Sequence, residues 1–433
     1  MRRYHIPFLL AMVVGCAHNL VTGDPADHTI SVGINEAIIL RNFEGDFGAP
    51  IRVMQYNHAE QLTEFTGGPI VHGGAEAHRW DNGLCFGDAR GVYDPSTNTH
   101  FVINVHYTNG VDDGYCIGVG RGDPSSVWAW SIVYWNGHAG DGARPALTDS
   151  EFIAHGIGDL LRCTKSSLVF GVPSCFWQST GNATNVVPVR GEYGTGSLGY
   201  WVGLVPVAGG SQIVLGTTSG AVQNLPNGIL PPTAFTVSAP GEVQNWQGYT
   251  FADAVFDTAR NRIWVEWHGP CHVSGAHACV GALSIQVFPL AFTGFYTFDF
   301  GGNPYDSFLG SMSVDHGGFP MLTWVVTSPS LPTSMALGGI DPGNGGVQDV
   351  ATWRIQHVGQ GGTGYHRPDF TGVGCIPGTN QCIAHGLHNG LFYTPSPNCP
   401  GGQCPFYKFV GDIDLFNHCC NPFTGTCPQG GCP

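Results

Sequence analysis

Positive charge is scarce in this chain, and so is charge of any kind. The 433 residues carry 16 Lys and Arg against 31 Asp and Glu, and charged side chains make up 11% of the total. With a formal net charge of −15 and no cluster of Lys or Arg, no surface is expected that would track phosphates, so nucleic acid is not an expected partner. An acidic surface suits solubility or cation binding and does not choose between them. Beyond the N-terminal leader no apolar run reaches the ~20 residues that a membrane-spanning helix needs. No helical period rivals the period-two patterns described below. The composition of disordered chains is missing too, because 42% hydrophobic and 12% aromatic residues are ample for a packed core.

Glycine (65), proline (30) and cysteine (15) are abundant. The N-terminus reads as an export signal over residues 1–16: Met1-Arg2-Arg3 supplies positive charge and Ile6 to Val14 is apolar over the length of a signal-peptide core. Two cleavage readings stand side by side. Val13-Val14-Gly15-Cys16 resembles a lipobox that would leave Cys16 lipidated and the protein tethered at a cell surface, whereas Gly15-Cys16-Ala17 suits an ordinary signal peptidase. Setting Cys16 aside leaves 14 Cys, an even number. Eight of them, including Cys375, Cys382, Cys399 and Cys404, crowd into the C-terminal segment, which in an exported protein reads as a disulfide-stapled tail. Cys271 and Cys279 read as a disulfide across a loop. Several His flank these and other Gly-rich loops, but the spacings are not those of zinc sites.

Two segments repeat one another. "GVYDPSTNTHFVINV" (Gly91 to Val105) and "AVFDTARNRIWVEW" (Ala254 to Trp267) align without a gap from Tyr93-Asp94 on Phe256-Asp257. Both alternate apolar and polar residues around a short turn, which predicts β-hairpins. Asp opens each turn by accepting backbone N–H bonds, and Asn98 and Asn261 supply a residue that tolerates the left-handed conformation. Shorter echoes occur at Ser313 to Val326, at Arg144 to His155 and at Gly411 to Asn417. The copies start near Asp88, Arg144, Asp253, Ser311 and Asp412, one or two multiples of a unit of roughly 50 to 58 residues apart, a length typical of propeller blades. Filling the double gaps with copies near residues 199 and 362 predicts an all-β, seven-bladed β-propeller over residues 28–418, with six blades as the fallback. Too few residues follow Asp412 for a whole blade. The closing blade is therefore expected to combine strands from both termini, with residues 419–433 as a Cys-rich tail.

The phrases "GDARGVYDPSTNTHFVINVHY", "CIGVGRGDPSSVWAW" with "ARPALTDSEFIAHG", and "FVGDIDLFN" resemble the blade motifs of exported bacterial sialidase-like propellers, many of which have no assigned activity. In that family a Gly-Asp pair opens the inner strand and a "DP" turn closes its hairpin. Its enzymes use three arginines for the substrate carboxylate, a Tyr nucleophile with a Glu partner, and an Asp acid. Here Pro50-Ile51-Arg52-Val53 matches the arginine motif in part, and no Tyr–Glu pair stands out. Ser313-Val314-Asp315-His316-Gly317 begins like an Asp-box without completing one.

Residues at the blade openings line the channel of a propeller and its mouth. Asp88 and Asp253 are thus the candidate catalytic pair for glycoside cleavage, one protonated and one ionised. Arg90, Arg144, Asp412 and Asp414 are candidate ligand-binding residues, and converging carboxylates there suit Ca²⁺. The same aspartates serve equally well to lock neighbouring blades by accepting backbone N–H bonds. Period two sets Asp412 out of register with Asp88 and Asp253 unless a bulge intervenes. Two functions follow as expectations. The first is a secreted or surface-tethered binding or scaffold module that presents aromatic and polar loops to a glycan or protein. The second is a glycoside hydrolase or lyase acting at the channel mouth.

Overall fold

The computed structural model describes residues 28–41, 52–57, 85–108, 111–121, 128–135, 143–156, 158–191, 198–239, 242–271, 277–298, 306–328, 331–340, 372–379, 382–385, 392–395, 403–406 and 410–411. Almost every element is a strand paired antiparallel to its sequence neighbour. The first sheet is β1 (His28–Val32), β2 (Glu36–Arg41) and β3 (Arg52–Asn57). Four-stranded sheets follow: β4 (Cys85–Asp94), β5 (Thr99–Thr108), β6 (Val111–Gly120) and β7 (Ala129–Tyr134), then β8 (Pro145–Leu147), β9 (Glu151–His155), β10 (Asp159–Thr164) and β11 (Cys175–Ser179). A short helix α1 (Lys165–Val169) joins β10 to β11. The next sheet is β12 (Thr184–Pro188), β13 (Tyr200–Val207), β14 (Gly210–Thr217) and β15 (Val222–Leu230). A two-stranded hairpin, β16 (Ala234–Ala239) and β17 (Glu242–Gln247), precedes β18 (Thr250–Asp257), β19 (Arg262–Pro270), β20 (Ala278–Gln286) and β21 (Ala291–Phe298). Then come β22 (Asp306–Val314), β23 (Pro320–Ser328) and β24 (Leu331–Gly339), followed by β25 (Gly372–Cys375), β26 (Cys382–His385), β27 (Phe392–Pro395), β28 (Gln403–Phe406) and β29 (Val410–Gly411). β25, β26 and β29 form one sheet, and β27 and β28 another.

This is an all-β propeller. Its blades pack face to face through apolar side chains, so the core lies between sheets. Val187, Val202 and Leu215 meet Phe251, Val265 and Trp267 across one such seam. Val92, Phe101 and Ile117 meet Phe152, Leu161 and Cys163 across another, and Val255 and Trp264 meet Met312, Leu322 and Trp324 across a third. Trp201, Trp264, Trp267 and Trp324 are fully buried. Each such side chain contributes about 1.5–3 kcal/mol or more by leaving water. Trp201 and Trp267 lie flat on the neighbouring strand, where Gly216 and Gly281 leave room: a methyl group at Gly216 would come within 2.0 Å of the Trp201 ring.

The expected hairpin turns are present and capped as their sequence requires. Asp94 accepts from Ser96 N (3.1 Å), Ser96 Oγ (2.7 Å) and Thr97 Oγ1 (2.9 Å). Asp257 accepts from Arg260 N at 3.2 Å, Asp315 from Phe319 N at 2.9 Å, and Thr148 Oγ1 from Glu151 N at 2.9 Å. Asn98 and Asn261 adopt φ of 52° and 51°, the left-handed conformation that asparagine tolerates better than most side chains. The turns also staple blades together. Lys165 of α1 donates to Asp94 at 2.6 Å across a buried seam, and Arg260 reaches the Gly317 carbonyl of the following blade.

Among the described residues five blades stand in place of the expected seven, and of the six of the fallback: β4–β7, β8–β11, β12–β15, β18–β21 and β22–β24. The connections are unequal, so sequence spacing does not count blades. The β16–β17 hairpin occupies the link between two blades, and its Phe235 and Val237 pack on Ala278 and Val325. Residue 199 does not open an inner strand, because that blade begins with β12 at Thr184, and Tyr200 starts its second strand. Residue 362 lies outside the described residues. Gly411 ends β29, a third strand paired to β26, and the segment from Asp412 onward lies outside the described residues. Among the described residues no sheet combines strands from both ends of the chain; β1 packs beside β4 and β25 without joining either sheet.

Cys271–Cys279 is a disulfide, as expected, Cys375 of the C-terminal set pairs with Cys382, and Cys163–Cys175 pins β10 to β11 around α1. Cys16, Cys399 and the 419–433 tail lie outside the described residues, as does the Cys404 side chain. Among the described residues no helix is long and apolar enough to cross a membrane.

Candidate functional site

The inner strands carry a repeated structural position. Counting back four residues from the turn-capping residues Asp94, Thr148, Asp257 and Asp315 gives Arg90, Arg144, Asp253 and Ser311. In three of these strands the ladder slips just before or at that position, between Phe86 and Arg90, between Phe251 and Asp253, and between Phe308 and Gly310. A bulge re-aims the side chain that follows it. Arg90, not Asp88, therefore stands where Asp253 stands in its own blade. Asp88 falls inside the slipped stretch of β4, and its side chain is outside the described residues, as are Asp412 and Asp414.

Asp253 is the most heavily bonded carboxylate of the group. Arg190 donates to it from Nε (3.1 Å) and Nη2 (2.7 Å), Ser311 Oγ from 3.1 Å, Met312 N from 2.9 Å and Ala254 N from 2.9 Å. Arg190 follows the end of β12 and forms a parallel bridge to Val255, with Arg190 N donating to the Ala254 carbonyl and Phe256 N to the Arg190 carbonyl. Its Nη2 also donates to the Met312 carbonyl. One carboxylate thus ties three successive blades together, through two-pronged guanidinium bonding and charge-assisted backbone bonds.

Directly across the ladder from Asp253 sits Glu266 on β19. It is fully buried, and neither carboxylate oxygen accepts a hydrogen bond. Its carboxyl group projects against Gly310 on β22, where a methyl group would lie 1.7 Å from Oε1. Loss of hydration, and next the charge of Asp253, push its pKa well above the usual carboxylate range; the guanidinium groups of Arg90, Arg144 and Arg190 pull the other way and do not prevail. Two residues further along β19, His268 is buried and held neutral, its pKa lowered to about 3 by burial first and the charge of Arg144 second. His155, whose N–H donates to the Arg144 carbonyl at 3.2 Å, is likewise lowered to about 3 by burial and Arg144.

The site brings together Arg90, Arg144 and Asp253 of the expected set, and adds Arg190, Glu266, His155 and His268. Glu266 had a sequence signal, a lone acid amid Ile263-Trp264-Val265 and Trp267 on a strand that otherwise reads as core. Arg190 had none, because its hairpin lacks the repeated turn. Among the described residues no group of three or more His, Cys, Asp or Glu comes together as a metal site.

No protein-family model matches the chain, and no curated protein matches it in sequence. Solved structures similar to it include the Trypanosoma rangeli sialidase, with 10% identity over 72% of this chain and 54% of that one and a TM-score of 0.39. The chain thus spans about half the length of that enzyme. A polysaccharide lyase of family PL25, an ulvan lyase, is similar with 10% identity over 84% of this chain and 90% of that one, TM-score 0.46. A protein of unknown function from Dyadobacter fermentans has 12% identity over 74% and 93% of the two chains, TM-score 0.40.

Proposed function

We propose that this protein is an exported or surface-tethered propeller that binds an acidic glycan over Arg90 and Arg144, as a recognition module. The observation that carries this reading is the bonding of Asp253. A carboxylate that already accepts five hydrogen bonds, two of them from one guanidinium group, has no lone pair left for attack or for proton abstraction. It serves as a lock that fixes the frame on which the two arginines stand. Guanidinium groups match planar carboxylate and sulfate anions in two-pronged geometry, which favours an acidic saccharide over a neutral one. The disulfides fit an oxidising compartment. The test is an array of uronic-acid, sulfated and neutral oligosaccharides probed with wild type and with Arg144→Met. Binding confined to acidic glycans and lost in the variant supports the reading, and equal binding to neutral glycans refutes it.

One observation favours a second reading, a glycoside hydrolase or lyase with Asp88 and Asp253 at the channel mouth. Glu266 stands opposite Asp253 with its pKa pushed well above the usual carboxylate range by burial, the direction that a general acid for glycoside cleavage needs. Release of reducing sugar from any of the bound glycans, abolished in Glu266→Gln, would replace the first reading with this one.

A further inference from the structure

In three successive blades, the connection from the third strand to the outermost one carries exposed apolar side chains. Phe170 and Val172 lie between β10 and β11, Val222 opens β15 after β14, and Phe288 lies between β20 and β21. Phe288, Phe170 and Val172 are 83%, 79% and 71% exposed, and Val222 is half exposed. Side chains exposed to this degree project from the surface as tips. Strands alternate in direction, so these connections fall at the same end of their blades as the inner hairpin turns. Hydrogen bonds show that shared face: Lys165 N donates to the Ser150 carbonyl (2.9 Å), Arg162 Nη1 to that of Thr218 (2.6 Å) and Gln286 Nε2 to that of Asn261 (2.9 Å).

The chain around these tips is uncharged. No Asp, Glu, Lys or Arg occurs from Ser166 to Val189, from Tyr193 to Gly241 or from Trp267 to Phe298, although the whole protein has a net charge of −15. Exposed charged residues on this face, Asp149 and Arg260, belong to the inner hairpin turns. The backbone at the tips is bonded within the protein. Phe170 N donates to the Ser166 carbonyl (3.3 Å), Gly171 N to that of Leu168 (3.0 Å) and Val172 N to that of Ser167 (3.0 Å). Thr217 N donates to the Ala221 carbonyl (2.9 Å) and Val287 N to that of Asn261 (3.1 Å). Pro173 and Pro289, beside the tips, have no N–H to satisfy. We infer that these three connections dock the outer rim of the propeller on an uncharged lipid surface. The lack of charge spares the cost of drawing ions toward the lipid, and bonded backbone groups can enter the interface without water. A second copy of the chain is convex at the same place, so a two-fold axis would set tips against tips. The lipobox reading of Cys16 would keep the chain beside such a surface. The inference does not depend on the acidic-glycan reading.

The test is co-sedimentation of the processed chain, residues 17–433, which carries neither leader nor lipid, with phosphatidylcholine vesicles. It is run at about 0.1 M and about 1 M NaCl, and again with vesicles rich in phosphatidylglycerol. The expected result is binding to phosphatidylcholine that salt leaves unchanged and that anionic lipid weakens, given the net charge of −15. Phe170→Ser and Phe288→Ser should each weaken it roughly tenfold, since each removes one inserted aromatic side chain. Phe170→Trp combined with Phe288→Trp should retain it. Both sites are exposed, so the variants should melt with wild type; Val222→Ser is the independent variant should one fail to fold. No sedimentation with phosphatidylcholine overturns the inference. So does binding that both Ser variants leave unchanged, or that occurs only on anionic vesicles and vanishes at high salt. Sedimentation velocity without vesicles tests the other occupant: a dimer that the same Ser substitutions dissociate assigns the tips to a second copy and overturns the lipid reading.

Discussion

Replacing Asp253 by Asn leaves the shape of the side chain and removes the charge that Arg190 grips from 2.7 and 3.1 Å. It also turns one acceptor oxygen into an NH2 group facing donors, since Arg190, Ser311 Oγ, Met312 N and Ala254 N all donate to this carboxylate. Both members of the pair are largely shielded, with side-chain exposures of 12% for Arg190 and 6% for Asp253, so solvent screens the loss little. Breaking a buried pair from one side costs about 3–5 kcal/mol. At about 2–4 °C per kcal/mol for a large domain, the melting temperature should fall by about 6–20 °C. Differential scanning calorimetry on wild type, Asp253→Asn, Arg190→Met and the double variant would measure this. The double variant should recover part of the loss, because it no longer buries an unmatched charge. Refutation would be a single variant that melts within about 2 °C of wild type but no longer binds or processes glycan. Asp253 would then be a site residue, not a lock.

Other perturbations test other parts of the frame. Burial raises the pKa of Asp94, but the hydrogen bonds from Lys165, Ser96 and Thr97 and the charge of Lys165 outweigh it and leave the value below 3.8. Its contribution is therefore present above pH 3.8 and lost as pH falls through the folded value; Asp94→Asn should flatten that acid limb in a denaturation series and lower stability at pH 7. His268, neutral in the fold with a pKa of about 3 against 6.5 unfolded, stabilises above pH 6.5 and loses this between about 6.5 and about 3. Replacement by Gln should remove that slope from the wild-type melting curve. Gly216→Ala places a methyl group 2.0 Å from the Trp201 ring and should cost about 1–3 kcal/mol by overpacking, read from urea midpoints at an unchanged m-value. Removing Cys163–Cys175 by paired Ser substitution should cost about 2–4 kcal/mol, and a smaller loss would mean that α1 alone holds the β10–β11 corner.

Much of the local structure was legible in the chain. Alternating residues around Asp94 and Asp257 specify hairpins because a strand buries one side at a time, and Asn98 and Asn261 mark the left-handed step because few other side chains tolerate it. Cys271 and Cys279 sit close enough in sequence for a short loop to join them, whereas the partner of Cys375 among the C-terminal cysteines was settled only by the β25–β26 pairing. Blade number was not legible, because it depends on what each connection does, and the β16–β17 hairpin lengthens one link without adding a blade. The register of Arg90 was not legible either, since a bulge shifts the ladder between Phe86 and Arg90 and leaves no mark in the residue count.

The site shows where sequence stops. By itself, the order of residues determined that hairpins recur, that Asp opens their turns, and that Arg90, Arg144 and Asp253 stand near the openings of their units. Only the packing of blades decided that Arg190 grips Asp253, that Met312 and Ser311 complete its bonds, and that Glu266 lies buried against Gly310. These partners are dozens of residues apart and share no periodic relation. They meet because apolar faces on either side of each seam leave water together, and the polar groups carried into that seam must then find their bonds in one another.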